Sequence, residues 1–316
     1  MTGDGFKQLV GVAGEILQST GLLQQKPPLL YHYTDHAGLL GIVSSSELWA
    51  TNAKFLNDAS EVKYGSQLAI PSVKGYIARA TWQPWKSALE TAEGWLSSSG
   101  EISSNIRPEF TDAYVVCFCQ EPNLLSQWRA YSRGGGYSIG FDLNVTLSPE
   151  PEFEGRQGFK SRVCYNPTEQ QSRLDKLLSQ VDEKAHALET GALVPSEDQP
   201  EPFLVRVMDI VLPSWLYTVK DPSFEDEKEW RLVYLPAVTE EGYAGPKGIH
   251  FRPGVIGLLP YIKVRPEGTP PKLAITSVKC GPNVDRNLTE HAVKLLLRKH
   301  GYNGVEVSSS SIPVRM

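Results

Sequence analysis

Apolar residues recur along the chain with two periods, and the alternation between them sets out the elements. Leu9, Val12, Ile16 and Leu17 fall at helical spacing within residues 6–24, and Gly21 with Pro27 and Pro28 closes that segment. LLYHYT follows as a strand with Tyr31 and Tyr33 on one face and His32 and Thr34 on the other, Asp35 N-caps the helix HAGLLGIVSSS, and ELWATN makes a second short strand. From Glu61 to about Phe110 the pattern turns helical, with Trp82, Trp85, Leu89 and Trp95 as its apolar positions.

TDAYVVCFCQE then reads as a core strand, SQWRAYS as a helical turn, and YSIGFDL as a strand after the turn RGGG. A polar helix spans Pro167 to Leu188, GALVPSEDQPEP is a surface loop, and FLVRVMDIVLPSWLYTVKD is a buried helix kinked or ended at Pro213. In EKEWRLVYLPAV, strand alternation puts Glu227, Glu229, Arg231 and Val233 on one face and Lys228, Trp230, Leu232 and Tyr234 on the other. The last third gives strands at GIHFR, YIKVR and LAITSVKCG, a helix at LTEHAVKLLLRKHG and a closing strand at YNGVEVSS. The pattern implies one α+β domain over residues 1–316, a central mixed sheet, and helical insertions at about 61–110 and 167–220.

Composition narrows the classes of function. With 31 Lys plus Arg against 36 Asp plus Glu the net charge is -5, so no global field draws the chain to nucleic acid or to an anionic membrane. No run approaches the roughly 20 apolar residues of a membrane span, and the N-terminus lacks the basic and apolar regions of a secretory signal. Cys117, Cys119, Cys164 and Cys280 lack the C-x-x-C spacing of a structural zinc site and read as free thiols, Cys117 and Cys119 on one strand face. The expectation is a cytoplasmic protein that needs no metal and no membrane.

Four clusters carry possible chemistry. His32 beside Thr34 is either a ribose-binding histidine or a core ring satisfied by a backbone carbonyl. Asn57, Asp58 and Glu61 in FLNDASE would position a substrate, hold a metal or start a helix. Trp128 and Tyr131 share a helical face in front of Arg133 and the glycines 134–136, whose helix-glycine-strand order excludes a nucleotide phosphate loop. Glu229 and Arg231 present a charged pair on one side of an apolar strand, either a solvated edge or a held carboxylate.

In this order the pieces resemble the bacterial family of domain of unknown function 2971: Tyr31 to Thr34, Leu48 to Ala50, Phe55 to Asp58 with Glu61, Cys117 with Phe118, Trp128 to Tyr131, Ile139 to Asp142, Glu229 to Arg231, Gly301 with Tyr302, and Ile312 to Arg315. More distantly, the H-x-T strand followed by a leucine-rich helix and a short strand is similar to the opening of ADP-ribosyltransferase folds. Those are split β-structures that bind NAD in a cleft, with a histidine, a middle aromatic and a late glutamate. That resemblance implies His32, Tyr131 and Glu229 as the catalytic set, with Tyr137 the other choice for the aromatic. It implies NAD as substrate, held by His32, Tyr33, Thr34, Asn57, Trp128, Arg129, Tyr131 and Arg231, with Asp58 and Glu61 positioning the substrate.

The implied activity is ADP-ribosyl transfer to nucleic acid or protein by a toxin or phage-defence effector, with an antitoxin or defence-system partner. Two other readings stand beside it. One is a nucleotide-sensing or interaction module without catalysis, and the other a hydrolase or nuclease with a divalent metal on Asp58, Glu61 and Glu229.

Overall fold

A computed structural model describes residues 3–23, 26–56, 60–98, 113–131, 135–153, 158–195, 199–236, 238–239, 242–243, 247–254, 257–268, 271–282 and 285–313. The chain is α+β, with two large hydrophobic cores and two smaller clusters among the described residues. The first is built mainly from helices, α1 (Gly3–Ser19), α3 (Ser60–Arg79), α4 (Gln83–Ser98), α6 (Pro167–Glu189) and α7 (Pro200–Leu216), with Leu22 and Val219 from the chain beyond α1 and α7. Leu9, Val12, Ile16 and Leu17 of α1 all enter it, as do Trp85, Leu89 and Trp95 of α4, because three- and four-residue spacing stacks them on one helical face. The two stretches expected as insertions thus pack with α1 around the nearly all-apolar α7, which runs through Pro213 to Leu216; residues 99–110 lie outside the described residues.

The second core belongs to a mixed sheet of eleven strands. Its main path runs β10 (His250–Gly254), β11 (Gly257–Pro266), β2 (Leu48–Asn52), β3 (Tyr114–Cys119), β1 (Leu30–Thr34), β4 (Tyr137–Phe141), β12 (Ile275–Cys280) and β13 (Glu306–Ser309). The pairing of β12 with β13 is parallel, and the other pairings of this sheet are antiparallel. β5 (Leu147–Pro149) adds to β11, and β7 (Glu229–Tyr234) joins β3 to β6 (Phe159–Arg162). A separate two-stranded ribbon pairs β8 (Val238–Thr239) with β9 (Gly242–Tyr243).

One face of the large sheet, with Leu48, Val116, Phe118, Ile139, Trp230 and Ile262, packs under α2 (His36–Ser45) and α8 (Arg286–Lys299). Asp35 caps α2 as expected, its Oδ1 accepting the Gly38 N–H at 2.8 Å.

The sheet forks at β3. One edge of β3 pairs with β7 along its whole length, Tyr114 opposite Tyr234 through Cys119 opposite Glu229. The other edge is shared: β2 takes its start, with Thr51 opposite Val115, and β1 takes its end, with Tyr31 opposite Cys119. Between these partners the strand has an open stretch around Cys117, and its backbone groups there need other partners.

Candidate functional site

Glu229 begins β7 directly after a strained residue. Asp221 caps a short 3-10 helix, Pro222–Glu227, which Lys228 ends in the left-handed region at φ 47°. A non-glycine residue there needs its surroundings to hold it. The Lys228 N–H donates to the Glu225 carbonyl at 3.1 Å, its carbonyl accepts from Gln120 N at 3.1 Å, and its ammonium pairs with Glu121. The next residue is thereby fixed, and the Glu229 N–H donates to the Tyr165 hydroxyl at 3.0 Å.

β7 is flanked on both edges and all six of its residues are buried, which corrects the solvated-edge reading of the EWR strand. Glu227 is a further correction, since it closes the 3-10 helix and is not part of the strand.

A buried charge network results. Glu229 is 6% exposed and Arg231 2%. The guanidinium donates Nε to Glu229 Oε1 at 2.8 Å, Nη2 to Glu229 Oε2 at 2.9 Å and to Glu61 Oε2 at 2.6 Å, and Nη1 to the Tyr217 carbonyl at 3.1 Å. Lys220 Nζ adds Glu61 at 2.8 Å, Glu227 at 2.6 Å and Glu229 at 3.4 Å. Three carboxylates therefore share two cations, leaving one negative charge in excess.

Burial alone would raise the Glu229 carboxyl, but Arg231 and then Lys220 outweigh it and hold the group at about 2. Glu227 is more open and less well paired, and burial pushes its carboxyl upward against the pull of Lys220.

His32 fills the fork. Its Nδ1 lies 2.9 Å from the Cys117 carbonyl, and its ring meets Phe118 edge-on at 5.9 Å. A carbonyl only accepts, so Nδ1 carries the proton and Nε2 is left as an acceptor with no partner among the described residues. Burial lowers the ring's pKa and keeps it neutral. On the other side of β3 the Cys117 thiol bonds to the Glu229 carboxylate, and burial followed by Glu229 pushes that thiol well up.

Tyr131, the last residue of α5 (Leu125–Tyr131), is 40% exposed. Its hydroxyl is raised by burial, then by Cys117 and Glu229, so it stands within electrostatic reach of both. Cys117 is thus touched from two sides: His32 reaches its backbone carbonyl from β1, while Glu229 and Tyr131 act on its thiol across the opposite face of β3.

Other expected residues fall elsewhere. The two faces of β1 are the reverse of the expectation: Tyr31 and Tyr33 share the face of Cys119 and Glu229, while His32 and Thr34 sit opposite Ile139 and Tyr137 on the α2 side. Gly140 lies across from Tyr31, and a Cβ there would stand 3.1 Å from the Tyr31 ring and 2.4 Å from Ser277 Oγ, so a larger residue would need both side chains to shift. Thr34 packs its hydroxyl against the first turn of α2 at Gly38.

Tyr33 and Trp128 are buried against each other at 4.8 Å, and Trp128 donates Nε1 to Asn123, so neither ring is open to a nicotinamide. Arg231 is consumed by two glutamates and a carbonyl and is no phosphate ligand. Arg129 is exposed on α5. The Tyr137 hydroxyl meets His36 at 3.2 Å under α2, away from Glu229. Glu61 joins the Arg231 network. Asn57, Asp58 and Arg133 lie outside the described residues.

Glu61 and Glu229 do converge, but with Arg231 and Lys220 between them neutralising the charge a divalent ion would need. Among the described residues no group of three His, Cys, Asp or Glu is placed to hold a metal. Cys117 stood out in the sequence only as a free thiol, and Lys220 of this network and Arg252, whose Nη2 donates to Thr51 at 3.0 Å, did not stand out. The lysine and the arginine left a faint signal as lone cations in otherwise apolar runs, LYTVKD and GIHFRPG. Two open depressions of about 820 and 410 Å³ lie elsewhere, the first around Thr20, Asn166 and Arg173 and the second around Glu150, His250 and Arg265.

Residues 127–232 match the model of a family described as protein of unknown function (DUF2971). The matched stretch runs from α5 into β7 and so takes in Tyr131, Lys220, Glu229 and Arg231, but not His32 or Glu61. No curated protein and no solved structure matches the chain. Among the described residues no helix is long and apolar enough to cross a membrane.

Proposed function

We propose that the protein is an NAD-dependent ADP-ribosyltransferase acting on nucleic acid or protein, in the manner of a toxin or phage-defence effector, with its reaction centre at the forked face of β3. The supporting observation is the ionised Glu229 held by Arg231 and Lys220 on one side of Cys117, with His32 on the carbonyl of the same residue from the other side. In the reaction the glycosidic bond from ribose C1′ to the nicotinamide nitrogen breaks. Nicotinamide leaves with the electron pair, and an acceptor oxygen or nitrogen bonds to C1′.

The ribose becomes oxocarbenium-like on the way. Glu229, kept ionised by Arg231 and Lys220, supplies a fixed negative charge in a low-dielectric setting that stabilises this cation. His32 Nε2 accepts from a ribose hydroxyl, the open ring of Tyr131 stacks on nicotinamide, and Glu227 takes the acceptor's proton.

Incubation with NAD labelled in its adenylate half, together with RNA, DNA and protein mixtures, is expected to release nicotinamide and transfer label. Glu229→Gln is expected to lower that rate by a factor on the order of 100 or more. Tyr131→Ala, a change at a part-exposed helix end, is expected to weaken it with the fold retained. Absence of both release and transfer from the wild-type protein across these acceptors would overturn the proposal.

A second reading, a nucleotide-sensing module without turnover, draws on the engagement of both Glu229 oxygens by Arg231 and Lys220. NAD binding that survives Glu229→Gln while nicotinamide release is absent from both forms selects that reading.

A further inference from the structure

Beyond the fork, the arm formed by β2, β11 and β10 carries a row of rings on the sheet face shared with Glu229. Trp49 stacks on Tyr261 with centroids 4.4 Å apart and planes 23° apart, and His250 follows at 5.5 Å. Tyr261 is buried inside the row, while Trp49 at its end is 41% exposed and offers a ring to solvent.

Arg252 lies over that ring, its guanidinium carbon 6.0 Å from the Trp49 centroid. Nη2 donates to Thr51 Oγ1 at 3.0 Å, and Nε is shut off from solvent with no hydrogen-bond partner. No carboxylate among the described residues pairs with it, whereas the more deeply buried Arg231 and Lys220 each have two or three. A partly desolvated guanidinium without an anion is costly, and burial accordingly lowers its pKa.

We infer that Trp49 and Arg252 form a binding subsite for a nucleoside phosphate, the base packing on the solvent-exposed part of the Trp49 ring and the phosphate taken by the Arg252 guanidinium. A ring and a cation 6.0 Å apart suit the spacing of base and phosphate within one nucleotide. Lys263 and Arg265 flank the row but are engaged with Glu150 and Glu47, so the anion falls to Arg252. The subsite deepens the proposed function by naming a nucleotide as what this arm recognises, either the adenylate half of the donor or a residue of a nucleic-acid acceptor.

The test is calorimetric titration of the full chain with ADP and, separately, with a short single-stranded oligonucleotide, for wild type, Arg252→Gln, Arg252→Lys, Trp49→Leu and Trp49→Tyr. The expected result is binding of at least one probe, weakened about tenfold or more by Arg252→Gln and by Trp49→Leu and largely retained by Trp49→Tyr, which keeps a stacking ring. Arg252→Lys is expected to lie between, having charge without the planar fork.

Binding of ADP assigns the subsite to the donor side, and binding of the oligonucleotide alone assigns it to the acceptor. Wild type that binds neither probe, or Arg252→Gln and Trp49→Leu that bind as wild type does, would overturn the inference. No turnover is read here, so this failure is separable from a failure of nicotinamide release.

Discussion

His32 is held by one proton in one place. Its Nδ1–H satisfies the Cys117 carbonyl, which the fork leaves without a strand partner. His32→Ala is expected to cost about 1–3 kcal/mol through that orphaned carbonyl. His32→Asn, whose amide nitrogen falls near Nδ1, should recover most of the loss.

The ring also predicts a pH dependence. Burial puts its folded pKa below the ordinary value of 6.5, so the unfolded chain binds the proton more readily. Its contribution is complete above pH 6.5 and is lost as the pH falls from there through the folded value. Urea unfolding between pH 8 and pH 5 is therefore expected to show wild-type stability falling more steeply below 6.5 than that of His32→Asn. Parallel profiles would refute this account of the ring. At this scale a ring satisfied by a backbone carbonyl was one of the two readings of His32, and the structure shows that bond, with Nε2 making none among the described residues.

At the scale of elements, α5 is lashed down by β1. The Tyr33 hydroxyl donates to the Glu121 carbonyl at 2.8 Å and accepts the Leu124 N–H at 2.9 Å, while its ring meets Trp128. Asn123 Oδ1 accepts both Trp128 Nε1 at 2.9 Å and Ser310 Oγ at 2.6 Å, tying the same loop to the chain just past β13. Tyr33→Phe removes two of these bonds and is expected to cost about 1–2 kcal/mol, with faster amide exchange concentrated in residues 121–131. Uniform acceleration across the sheet would show instead that the clamp is not local. Because Tyr131 ends α5, under the proposed reaction the same variant should raise the KM for NAD more than it lowers kcat.

Most elements were readable from spacing, including the Asp35 cap and the charged face of β7, since helix and strand periods are local properties. The direction of the β1 faces was not. Alternation divides Tyr31 and Tyr33 from His32 and Thr34, but only the pairing of Tyr31 with Cys119, 88 positions away, decides which pair looks toward Glu229. The choice for β7 between a solvated edge and a held carboxylate stayed open for the same reason, its partners β3 and β6 being remote in sequence.

At the scale of the molecule, the charge network is a seam between the two cores. Glu61 comes from the first turn of α3, and Tyr217 and Lys220 from the chain leaving α7, so three of its members belong to the helical side. Glu229 and Arg231 come from the sheet. Buried pairs of this kind add little over an apolar contact when intact, but removing one partner strands the other charges, typically at about 3–5 kcal/mol.

Arg231→Met would leave Glu61 and Glu229 facing each other with Lys220 as the one nearby cation. The cheapest relief is hydration of the seam, which needs the helices to part from the sheet and not to unfold. The wild type is accordingly expected to lose helical circular dichroism and tryptophan fluorescence with one urea midpoint, and Arg231→Met to show two, with the seam failing first. A single coincident transition in Arg231→Met would mean that apolar contacts alone couple the two cores. Glu61→Gln combined with Arg231→Met removes one of the stranded carboxylates and should draw the two midpoints back together, an effect that simple loss of packing at Arg231 would not produce.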